Sequence, residues 1–209
     1  MKTFLNKFVD SYQAMKEVRT ITTCAMFGAL SIILGYFTIR IGDFLKIGFS
    51  NIVNELTAYL FGPVVGSVFG GAMDILKYIL KPTGPFFPGF TITAIVAGLI
   101  NGIFLYHKTI TLRRIFGTQF IIVVFCDMFL NTLWISMLYG KGFLALLPVR
   151  VIKNLIMWPI SSFLMYLTIK LVESTGVFSM VRKTNHMKTE KLSTEKNLED
   201  KIHKNGEDQ

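Results

Sequence analysis

Residues 81–93, KPTGPFFPGFTIT, separate two apolar runs, Pro63–Leu80 and 91–106, each about long enough to cross a bilayer as a helix. The stretch holds three prolines within seven residues (Pro82, Pro85, Pro88), with Gly84, Gly89, Phe86, Phe87 and Phe90. Proline removes a backbone donor and fixes φ, so this spacing excludes a helix interior. The residue before each proline is pushed towards extended geometry. The stretch therefore predicts a stiff aromatic cap between two membrane helices. A loop already ordered in its bound shape loses less entropy on capturing a ligand. Its alternative role is a rigid connector with phenylalanines at the lipid interface.

The rest of the chain repeats the apolar pattern. It is 52% hydrophobic with mean hydropathy +0.51, too apolar for an ordinary soluble domain of 209 residues. Spans are predicted at about 20–39, 48–61, Pro63–Leu80, 91–106, 115–138 and 148–172, with Gly62-Pro63 as a tight turn and Pro148 at a helix start. The fold class is thus an all-α integral membrane protein with six transmembrane helices, short loops and a disordered polar C-terminal tail. Residues 1–18 form an amphipathic N-terminal segment with Phe4, Phe8, Tyr12 and Met15 at helical spacing, able to lie on the membrane surface. They lack the apolar core of a cleaved signal peptide. Residues 19–175 form the membrane domain, and the tail covers 176–209. Residues 38–47 and 139–147 read as loops. Small-residue stripes mark helix packing: Gly66 and Gly70, then Ala94, Gly98 and Gly102. Cys24 and Cys126 read as buried thiols without metal-ligand spacing.

Charge sets the orientation. The net charge is +9, from 22 basic and 13 acidic residues. With six spans both termini share a side with Lys108, Arg113 and Arg114, which the positive-inside rule places in the cytoplasm. The external ends nevertheless carry Arg40, Lys46, Lys77, Lys81, Lys141, Arg150 and Lys153, against Asp43 and Asp74, with Glu55 and Asp127 deeper. Such a basic mouth suits an anionic ligand captured from outside, whose on-rate clustered cations raise. Arginine can hold a carboxylate in a bidentate pair. Phe86, Phe87, Phe90, Trp134 and Tyr139 offer faces to a flat ring, and Asp74, Asp127, Asn131 and Asn154 offer donors and acceptors to its edge. Asp127, Asn131, Trp134 and Leu138 are expected on one helix face, as are Asp74, Lys77 and Lys81. An Asp74–Lys77 pair that neutralises itself, an interfacial role for Trp134 and an interhelical bond for Asn131 are the structural alternatives. A flat, polar, anionic, vitamin-like molecule fits this set; an inorganic ion does not. An enzyme is disfavoured, because His107, His186 and His203 lie on the opposite loop and tail. No soluble domain presents a basic face to nucleic acid.

KPTGPFFPGFT, NTLW at 131–134, the following YG, LLPVRVIKN at 146–154 and GPVVGSVFGGAMD at 62–74 resemble the folate-specific substrate-binding (S) component of energy-coupling factor transporters. The resemblance covers roughly 19–170. It implies a six-helix component of the prokaryotic cell membrane, without catalytic residues, metal or cofactor, that captures folate from outside. It further implies docking through Ala25 and Ala29 on a shared transmembrane coupling protein, driven by two cytosolic ATPases. No Walker-type pattern occurs in this chain, so ATP use would belong to those partners. The site it implies comprises Phe86, Phe87, Phe90, Trp134, Asn131, Asp74, Lys77, Arg150, Lys153, Asn154 and Tyr139. The alternative is a component for another flat vitamin, of the thiamine or riboflavin type. Those ligands lack a dicarboxylate tail for the basic mouth.

Overall fold

The computed structural model describes residues 2–36, 39–41, 45–47, 50–82, 85–106, 108, 111–140 and 143–174. In order these form α1 (Lys2–Met15), α2 (Val18–Tyr36), β1 (Ile39–Ile41), β2 (Leu45–Ile47), α3 (Ser50–Phe61), α4 (Pro63–Leu80) and α5 (Pro88–Leu105). There follow α6 (Leu112–Ile122), a π-helical segment (Val123–Leu130), α7 (Asn131–Tyr139) and α8 (Phe143–Ser174). The chain divides into two compact units, Met1–Tyr166 and Leu167–Gln209, and the candidate site is built in the first. The expected polar tail at 176–209 lies outside the described residues, as do Asp43, His107 and Lys141.

Among the described residues, five stretches are long and apolar enough to cross a membrane: Val18–Tyr36, Pro63–Leu80, Pro88–Leu105, Leu112–Leu138 and Arg150–Val172. Met26, Ile33, Ile79, Phe125, Phe129 and Leu155 are exposed on them, as lipid-facing side chains would be. The run at 48–61 differs from the other five. Its helix α3 has 12 residues, or about 18 Å at 1.5 Å per residue, well short of a hydrocarbon core of about 30 Å. Residues Leu56 to Phe61 are all buried, so α3 is a core helix packed against α2, α4 and α5.

Residues 38–47, read as a loop, contain a short antiparallel hairpin. Ile39 pairs with Ile47, Arg40 with Lys46 and Ile41 with Leu45. Both strands alternate apolar, basic, apolar, which is the period of a strand. Residues 139–147, also read as a loop, are shortened by α8, which begins at Phe143. Pro148 therefore lies inside the helix and not at its start. It lies in the second turn of the helix, so its missing donor removes a single early hydrogen bond.

α4 and α5 form the most extensive helix pair, and glycine is the reason. A Cβ at Gly98 would collide with the Gly66 carbonyl oxygen, one at Gly102 with the Pro63 backbone, and one at Gly70 would lie 2.7 Å from the Ala94 oxygen. Close backbone approach replaces the hydrophobic drive that lipid cannot supply. Gly98→Val should lower the unfolding midpoint in detergent by roughly 5 °C. At Gly117 a Cβ would meet nothing within 4 Å, so alanine should be accepted there at little cost.

α1 is anchored by polar contacts. Ser11 is fully buried; its hydroxyl donates to the Phe61 oxygen (2.7 Å) and accepts from the amides of Val64 (3.1 Å) and Val65 (3.2 Å). It thereby caps the end of α3 and the start of α4 at once. Gly62 makes the turn between them with φ +91°, and a Cβ there would strike Ser11. Val9 and Tyr12 stay exposed, while the inward face is the small pair Ser11 and Ala14. Cys126 is buried, whereas Cys24 is only partly so.

Candidate functional site: an aromatic shelf beside a charged cluster

Pro88 occupies the first turn of α5, so the helix starts inside the proline stretch and residues 88–93 are helical. This fixed start decides which aromatic turns inward. Phe87 is the extended residue before the helix, and its carbonyl accepts from the Phe90 amide (3.1 Å). Its ring centroid lies 5.7 Å from that of Trp134 and 6.1 Å from that of Phe90. Gly89 lets Trp134 rest on the α5 backbone: a Cβ there would come within 2.5 Å of the indole. The Trp134 Nε1–H donates to Thr93 Oγ1 (3.1 Å), and Thr93 donates to the Gly89 oxygen (3.0 Å). The indole is thus fixed by its face and by its edge.

Phe86 does not join this shelf. It packs on Tyr78, with centroids 5.1 Å apart, and stays 46% exposed. Asp74 accepts a hydrogen bond from Thr91 Oγ1 (2.8 Å), which ties α4 to the first turn of α5. Lys77 is partly buried and lies in the field of Asp74. Lys81 leaves that face: its ammonium sits 5.2 Å from the Tyr36 ring centroid, at the end of α2.

A second cluster surrounds the π-helical segment, which carries Asp127. Asn131 Nδ2 donates to Asp127 Oδ1 (2.9 Å). The Asp127 carbonyl receives Thr132 Oγ1 and Arg150, each at 3.4 Å. The charges of Arg150 and Lys153 both act on the Asp127 carboxylate. Asn131 and Trp134 are three residues apart on α7, about 4.5 Å of rise, so α7 carries a member of each cluster. Asn154 is buried on α8. The Tyr139 side chain lies outside the described residues.

The site thus unites Phe87, Phe90 and Trp134 with Asp74 through Thr91, and Asn131 with Arg150 and Lys153 around Asp127. Gly89 was read only as a glycine of the proline stretch, and Thr91 and Thr93 were not singled out by the sequence. Their signal was the i, i+4 pair Gly89–Thr93 on the first turns of a helix that starts at Pro88. Deeper in the bundle, as its place in the sequence suggested, Glu55 accepts from Gln119 Nε2 (2.7 Å), joining α3 to α6. Trp158 donates to the Phe116 oxygen (3.1 Å) and packs edge-on against Phe116 and Phe120, which joins α6 to α8.

The aromatic shelf and the charged cluster both draw on α7, in a chain with several stretches long and apolar enough to cross a membrane. A family model described as the ECF transporter, substrate-specific component, matches residues 19–169. The chain belongs to this family. It is a substrate-specific transporter component and not an enzyme. Among its relatives is the folate transporter FolT of Clostridium novyi (strain NT), 32% identical over 171 residues, which are 82% of this chain and 99% of that one. The folate transporter FolT of Leuconostoc mesenteroides subsp. mesenteroides is 29% identical over 150 residues, 69% of this chain and 80% of the relative. A crystal structure of FolT bound with folic acid superposes with a TM-score of 0.63 at 31% identity, covering 71% of this chain and 90% of that one.

Proposed function

We propose that this substrate-specific component captures folate from outside a prokaryotic cell and delivers it through a shared coupling protein driven by two cytosolic ATPases. The observation that carries the reading is the pairing of an aromatic shelf with Arg150 and Lys153 in a chain 31% identical to FolT bound with folic acid. Residues 19–175 act as the binding domain, with six spans, α3 counting as a short buried one, and both termini in the cytoplasm.

In this reading the pterin lies against Trp134, Phe87 and Phe90, and Phe86, packed on Tyr78, stays outside the stack. Asn131 and Asp74 or Asp127 read its edge by hydrogen bonds. Arg150, helped by Lys153 and Lys77, holds the glutamate carboxylates. Arg40 and Lys46, partners in the hairpin, add to the positive mouth. The chain as purified should therefore carry a pterin that absorbance and mass can identify. A co-purifying flavin or thiamine in its place would overturn the substrate class.

Loss of a hydrogen bond to a charged group should weaken binding roughly tenfold to a hundredfold. Arg150→Ala is expected to lose that much affinity for folate and far less for pteroate, which lacks the glutamate. Equal losses for both ligands in a titration would place Arg150 at the ring or in the scaffold.

A further inference from the structure

Thr57, Thr118 and Ser162 are buried in helices and donate to the carbonyl oxygen four residues back. That bond is an ordinary way for a helix to satisfy a buried hydroxyl. Thr93 makes it too, to the Gly89 oxygen (3.0 Å), and is itself buried. To it Thr93 adds a second bond, accepting the Trp134 Nε1–H (3.1 Å) from α7. The polarity of the pair is forced by chemistry. A carbonyl oxygen only accepts, an indole N–H only donates, and a hydroxyl has one proton. The Thr93 proton therefore goes to Gly89, and its oxygen takes the indole.

Two points on one face of α5 then hold the ring. Gly89 and Thr93 are one turn apart, about 6 Å of rise. At Gly89 a Cβ would lie 2.5 Å from Trp134 Cδ2 and 2.7 Å from Cγ, so this part of the indole rests on bare backbone. At Thr93 the bond holds the Nε1 edge. An indole held at Gly89 alone would be free to turn about that contact, and its N–H would be free to seek another acceptor, a ligand's included. We propose that Thr93 is a positioning residue for ring recognition: its hydroxyl sets the angle of the indole and takes the N–H out of play, so that Trp134 meets a ligand through carbon alone. Hydrogen-bond discrimination among flat rings then falls to other side chains. The proposal rests on the reading of Trp134 as part of the folate site.

The test uses the full chain in detergent, with isotope-labelled tryptophan. Hydrogen exchange is followed by nuclear magnetic resonance at the indole N–H of Trp134 and of Trp158, which Trp134→Phe assigns. Calorimetry gives the affinities for folate and pteroate. Thr93→Val keeps the shape and removes the hydroxyl. In the ligand-free protein it should speed exchange at Trp134 at least about tenfold and leave Trp158, bonded to the Phe116 oxygen, within about twofold. The same variant should lose roughly fivefold of affinity for folate and as much for pteroate, because the ring is common to both. Thr93→Ser restores the hydroxyl and should return both readouts to within about twofold of wild type. Thr93→Ala carries the same expectations as the valine variant and replaces it if that protein does not fold. Unchanged exchange at Trp134 in a variant without the hydroxyl, or faster exchange with unchanged affinity, would overturn the proposal. So would a serine variant as weak as the valine one. A wild-type chain that bound neither ligand would overturn the folate reading alone, and the exchange comparison would still decide for or against Thr93.

Discussion

Ala29→Trp is expected to abolish uptake and co-purification with the coupling protein while leaving equilibrium folate binding near wild type. Ala25 and Ala29 are exposed on α2, beside the exposed Met26, Leu30 and Ile33. The inward face of the same helix is different. Gly28 meets Met73 and Phe69, and Ser31 donates to the Ser50 oxygen (3.1 Å). A bulky side chain at 29 therefore points away from the bundle and blocks the close backbone approach on which helix association in lipid depends. Pull-down with the partners and calorimetry on the isolated chain separate the two effects. Loss of folate binding with assembly intact would place this face in the pocket.

The second large effect is at Trp134. Trp134→Ala should weaken folate binding at least about tenfold, because it removes a stacking face and leaves Phe87 without its neighbour. Assembly with partners should survive, the reverse of the result at Ala29. Gly89→Ala should act in the same direction without touching a ring, since its methyl would displace the indole. Trp134→Phe keeps a face but loses the bond to Thr93, so its affinity should fall between wild type and Trp134→Ala. Unchanged calorimetric affinity in a folded Trp134→Ala protein would remove the indole from the site.

These residues also show where sequence reasoning reaches and where it stops. The α4–α5 contact was legible because glycines four apart leave one face without side chains, and only a neighbouring backbone can fill it. Of the cations expected at one end of the spans, Arg150 and Lys153 act on Asp127, whereas Lys81 turns to Tyr36, a difference of direction that composition does not carry. Phe86 and Phe87 could not be told apart. Adjacent aromatics differ only in direction, and that is set by the helix beginning at Pro88. Asp127 and Asn131 were legible as one helix face, and their side chains are hydrogen-bonded; the π-helical segment that carries Asp127 has no periodic signature. The three-residue strands were too short for their alternation to outweigh a loop reading. The length of α3 was visible, but its burial depended on neighbours that a single apolar run does not reveal.

The central claim is that the isolated chain, without coupling protein or ATPases, is itself the folate-binding unit. Calorimetric titration of the detergent-purified, ligand-free protein with folate, riboflavin and thiamine tests it most directly. The account predicts one folate per chain, bound at least about a hundredfold more tightly than either of the other vitamins. A folded protein that bound riboflavin or thiamine more tightly, or that bound no folate at all, would contradict it.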